Sequence, residues 1–80
     1  MMIYRRIREL REDHGLSQAR VGSMINFPQR TYAYYEAGKR MLPPEVICSL
    51  ARLYGVSADY ILELTDDPGT RRELRMAQIG

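Results

Sequence analysis

Residues 16–40 read LSQARVGSMINFPQRTYAYYEAGKR, and the fold follows from how this stretch divides. Ser17 suits the start of a helix, because its hydroxyl can accept from an N–H that the first turn leaves unpaired. That helix runs to about Ile25, with Val21, Met24 and Ile25 as its apolar edge. Asn26 and Phe27 make a tight turn, and Asn is the best residue after glycine for left-handed backbone. A second helix spans Pro28 to Ala37, opened by the fixed φ of proline and closed at Gly38. Gly22 costs about 1 kcal/mol relative to Ala inside a helix. A residue so small at that place implies a close crossing of the two helices.

The second helix carries two unlike faces. Tyr32, Tyr35 and Glu36 stand at i, i+3, i+4 and turn toward the body of the fold. Gln29, Arg30, Ala33 and Tyr34 share the opposite, outward face. Gln and Arg form bidentate hydrogen bonds to purine edges in the DNA major groove, Ala packs on a thymine methyl, and Tyr donates to a base edge or a phosphate. Lys39 and Arg40 follow in a loop suited to the phosphates flanking the groove. The pattern is a helix-turn-helix whose second helix is expected to read DNA.

Three pieces carry a family likeness: Leu16-Ser17-Gln18 with its turn, Tyr35-Glu36-Ala37-Gly38-Lys39-Arg40, and Gly55-Val56-Ser57-Ala58-Asp59-Tyr60. In this order and spacing they resemble the phage-repressor (Cro and lambda-repressor-like, XRE) helix-turn-helix family, over roughly Tyr4 to Asp66. The resemblance implies an all-α, five-helix lambda-repressor-like DNA-binding domain. It implies phosphate contacts from Ser17 and Gln18 at the start of the first motif helix, and a brace from Gln18 to Gln29. It also implies that Arg11, in the first helix, pairs with Glu36 at the end of the recognition helix. Elementary chemistry agrees, since a partly buried carboxylate beside two tyrosines needs a charged, hydrogen-bonding partner. The chain departs from the family's habit at three places. Asn26 stands where Gly is usual, Gly22 where Ala is preferred, and Pro28 where Ser or Thr caps the recognition helix. Proline supplies neither a capping oxygen nor a hydroxyl for phosphate, which puts one common backbone contact in doubt.

Outside the motif, Met1 to Asp13 reads as a first helix with Ile3, Ile7 and Leu10 buried, closed by Gly15. Arg5, Arg6 and Arg8 read as a solvated face, with a phosphate contact as the alternative. His14 reads as a helix-end or surface side chain. Pro43-Pro44 opens a fourth helix whose Val46, Ile47, Leu50, Ala51 and Tyr54 form a core edge up to Gly55. Cys48 is expected to be a small, partly buried member of it. Ser57 caps a fifth helix carrying Tyr60, Ile61, Leu62 and Leu64, an apolar surplus that fits packing on the first helix or a dimer contact equally well. Asp66-Asp67-Pro68-Gly69 breaks the chain. The DNA-binding domain is therefore expected over 1–66, with a tail over 67–80. In the tail, Thr70-x-x-Glu73 looks like a capping box for a short sixth helix from Arg71 to about Ile79.

Composition bounds the alternatives. Eighty residues fit one domain, which buries roughly 60% of its unfolded surface. With 45% hydrophobic and 28% charged residues and no run of ~18 apolar residues, the expected setting is the cytoplasm. A net charge of +2 says little by itself. Its distribution says more, because Arg20, Arg30, Lys39 and Arg40 face only Glu36 in the middle, while Asp59, Glu63, Asp66 and Asp67 gather beyond Ala58. One Cys and one His provide no disulfide and no metal spacing. No Ser/His/Asp set or Gly-rich phosphate loop points to an enzyme, and no cofactor is expected. The reading is a transcriptional repressor acting on double-stranded DNA as a homodimer. Its rival is an antitoxin or adaptor whose main role is to bind a protein partner such as a toxin or regulator.

Overall fold

A computed structural model describes residues 4–69. Among these are five helices and no strand: α1 (Arg5–Asp13), α2 (Gln18–Met24), α3 (Gln29–Glu36), α4 (Pro44–Tyr54) and α5 (Ala58–Ile61). The all-α expectation holds, and several boundaries have a local cause. Ser17 Oγ accepts from the Arg20 N–H at 3.0 Å, and Ser57 Oγ from the Tyr60 N–H at 3.1 Å, so α2 and α5 are capped. Gly55 ends α4 in left-handed backbone at φ +67°. Asn26 takes φ +65° in the turn, the conformation its short polar side chain tolerates.

The core is a single cluster to which every helix contributes. Ile7 and Leu10 come from α1, Val21 from α2, and Tyr32 and Tyr35 from α3; Val46, Leu50 and Tyr54 come from α4, and Ile61 from α5. α2 packs on α3, α4 on α5, and α1 lies across both α3 and α5. A Cβ placed on Gly22 would meet the Phe27 carbonyl oxygen at 2.7 Å. The Phe27 N–H meanwhile donates to the Gly22 carbonyl at 2.8 Å. The turn therefore folds back against a bare Cα, closer than the Ala preferred by the family permits.

Several expectations are corrected. α1 begins at Arg5, and Ile3 lies outside the described residues, as does the proposed sixth helix. Tyr4, buried just ahead of α1, joins the core, and its hydroxyl accepts from the Leu42 N–H at 3.2 Å. Met24 is 45% exposed, because α2 stops there and the chain turns away. Cys48 is exposed: the buried stripe of α4 is Val46, Leu50, Tyr54, and Cys48 stands half a turn from it. The fifth helix is only one turn long. Glu63, at φ +61°, closes it in left-handed backbone, and Leu64 beyond is 73% exposed.

Candidate nucleic-acid interface

α3 is held by its inner face and by its C-terminal end. Tyr32 and Tyr35 are buried, and the ring of Tyr35 meets Phe27 edge-on at 6.4 Å. Glu36 lies at the same end, with its side chain 5% exposed. Arg11 donates to both of its oxygens, from Nε at 2.6 Å and from Nη2 at 3.2 Å, in the two-pronged geometry a guanidinium offers a carboxylate. Its third nitrogen, Nη1, donates to the Leu16 carbonyl at 2.9 Å, which ties the α1–α2 loop to the same pair.

Gln18 adds a third donor, its amide nitrogen lying 3.2 Å from Glu36 Oε1. The brace implied by the family likeness ran from Gln18 to Gln29, whereas here Gln18 spends that N–H on Glu36. The amide has a second N–H, so a bond to phosphate remains open to it. Burial works against a charge on Glu36, but hydrogen bonds from Arg11 and Gln18 and the nearby Tyr32 hydroxyl outweigh it and hold the carboxyl below its ordinary value. The same partnership raises Arg11. Burial beside this carboxylate pushes the Tyr32 phenol up and moves Tyr54 to about 12. Neither phenol oxygen has a partner in hydrogen-bonding geometry, so both stand as buried hydroxyls close to a negative charge.

The outer face of α3 is different. Gln29 and Arg30 are exposed in its first turn, and Ala33 and Tyr34 are half-buried one turn on. Pro28 precedes them at φ −60° and ψ 148° without a side-chain cap. The first-turn N–H groups at this end therefore have no side-chain partner, and the positive end of the helix dipole lies there. Ala33 and Ala37 also line an open hollow whose other walls are Arg8, Arg11, Gln18 and Glu36. Lys39 and Arg40 are exposed beyond the helix end. Arg6 is not part of this surface. Its guanidinium lies over the Tyr60 ring at 4.0 Å and reaches Asp66 at 3.5 Å, so it ties α1 to the far side of the fold. Gln29, Arg30, Ala33 and Tyr34 thus share the outward face with Lys39 and Arg40 at its lower edge, and Ser17 and Gln18 stand at the start of α2.

A helix-turn-helix model matches residues 7–61, an interval that begins in α1 and ends with α5. The chain belongs to the helix-turn-helix family, of the phage-repressor, XRE type. Within it, the chain is 42% identical over 72 residues to an uncharacterized HTH-type transcriptional regulator, YobD, of Bacillus subtilis (strain 168). The match covers 90% of this chain and 64% of that protein, so the helix-turn-helix chain spans less than two thirds of its relative's length. Among the described residues no helix is long and apolar enough to cross a membrane, and no group of His, Cys, Asp and Glu could hold a metal ion.

Proposed function

We propose that this protein is a DNA-binding transcriptional regulator, acting as a repressor, whose α3 enters the major groove of double-stranded DNA. The observation that carries the reading is the division of α3 itself. Its inner face is spent on Tyr32, Tyr35 and Glu36, while Gln29 and Arg30 stand exposed at an uncapped N-terminus. Gln29 and Arg30 read bases through two-pronged hydrogen bonds, and Ala33 meets a thymine methyl. Ser17, Gln18, Lys39 and Arg40 meet phosphates on either side. The Bacillus subtilis relative is named an HTH-type transcriptional regulator, which is consistent with this reading. A homodimer would set two copies of α3 in successive major grooves about 34 Å apart on a near-palindromic site.

Selection of bound duplexes from a random pool tests all parts together. The expected product is a two-fold symmetric sequence with half-sites about one helical turn apart. Arg30→Ala is then expected to lower affinity for the selected site by ~1–3 kcal/mol and to relax preference at one position. Equal loss on selected and random DNA would contradict base reading by Arg30.

A further inference from the structure

We propose that the Tyr34 ring is a platform for Arg40 and Lys39, setting their cationic heads for phosphate, and that Tyr34 is a positioning residue, not a base reader. The proposal rests on the DNA reading above and refines one residue of it. It begins in the backbone at the end of α3. The Gly38 N–H donates to the Tyr35 carbonyl at 3.1 Å, the Lys39 N–H donates to the Tyr34 carbonyl at 2.9 Å, and Gly38 is left-handed at φ +73°. These paired bonds define a helix-ending loop in which the residue after the glycine is brought against the residue five positions earlier, and two apolar side chains usually meet there. In this chain the two are Tyr34 and Lys39.

The side chains follow that backbone. Lys39 Nζ stands 5.9 Å from the centre of the Tyr34 ring, and Arg40 Cζ stands 5.2 Å from it. Both lie within the ~6 Å over which a ring face attracts a cation. Tyr34 is half-buried beneath them, whereas Gln29 and Arg30 on the same helix face are exposed. An arginine over a ring face keeps N–H donors free for other partners, so Arg40 at this distance retains donors for a phosphate. Long cationic side chains otherwise lose rotamer freedom when they bind, and ordering them beforehand lowers that cost. The ring's contribution therefore acts on the phosphate backbone, equally for every sequence.

Two variants separate a platform from a hydroxyl contact. Tyr34→Phe keeps the ring and removes the oxygen, while Tyr34→Leu removes the ring. Both retain the loop, which closes through main-chain bonds and Gly38. In the free protein, ring-current shifts of the Lys39 and Arg40 side-chain protons are expected in the wild type and in Tyr34→Phe, and are expected to vanish in Tyr34→Leu. Binding is measured on the duplex selected above and on a scrambled duplex. Tyr34→Phe is expected to match the wild type on both, and Tyr34→Leu to weaken both alike by about two- to fivefold. Absence of the shifts in the wild type overturns the proposal. So does a Tyr34→Phe variant that loses its preference for the selected duplex, which would put the hydroxyl on a base. A wild type that binds neither duplex while its shifts persist removes the DNA reading itself, and the phosphate role with it.

Discussion

α2 and α3 are the two halves of one motif, and they are fixed at opposite ends. α2 is fastened at its start, where Ser17 caps it and Gln18 turns inward to Glu36. α3 is fastened at its finish, where Glu36 is clasped by Arg11 and Gly38 closes the last turn. Its own start, after Pro28, carries no side-chain cap. An ordinary scaffold helix is best held at both ends. Leaving the first turn of α3 without a side-chain cap keeps the exposed side chains of Gln29 and Arg30 available to an outside ligand.

That asymmetry can be broken most severely at Arg11. Arg11→Leu leaves the Glu36 carboxylate buried with Gln18 as its remaining donor, and chemical denaturation is expected to show a loss of ~3–5 kcal/mol. Acid titration sharpens the same point. Glu36 has a lowered pKa in the folded protein, so its contribution is present above the ordinary carboxylate value of 4.5 and fades as pH falls through the lower folded value. The stability gap between the wild type and Glu36→Gln should therefore close as pH drops below that range. A gap that widened in acid would reverse the assignment.

The crossing of the two helices comes next in size. Gly22→Ala adds a methyl 2.7 Å from a backbone oxygen that cannot swing aside. Overpacking of ~1–3 kcal/mol should exceed the ~1 kcal/mol gained in helix propensity, so a lowered melting temperature is expected. Ser17→Ala removes the cap of α2 and should cost about 1 kcal/mol in the same melt. Pro28→Ser has the smallest effect. A new cap on α3 gains about 1 kcal/mol, and the looser unfolded chain offsets about as much, so stability should stay within roughly 0.5 kcal/mol. A large stabilisation by Pro28→Ser would mean that the start of α3 is strained rather than merely left open.

Much of this arrangement was legible in the residues. Ser17, Ser57, Gly15, Asn26, Gly38 and Gly55 each act locally, so their types were enough to place the caps and turns where the structure has them. The Arg11–Glu36 pair was legible through the family likeness, which supplied Arg11 as the cation that an inward carboxylate demands. The exposed side of Cys48 could also have been read, from its offset to the stripe of Val46, Leu50 and Tyr54. Other features depend on partners distant in sequence or on a residue acting against its type. Nothing in Glu63 announces a left-handed stop, so α5 read longer than one turn. Gln18 was expected to brace Gln29 alone, but the fold brings it to Glu36, whose charged carboxylate is the better acceptor. Tyr4 contacts Leu42 across 38 residues, beyond the reach of any periodicity.

That last contact has a consequence for the surface. The segment presenting Lys39 and Arg40 runs directly into Leu42, whose N–H is moored to the Tyr4 hydroxyl. Tyr4, just ahead of the first helix, thus anchors the segment of chain that leaves a cationic surface more than thirty positions away in sequence.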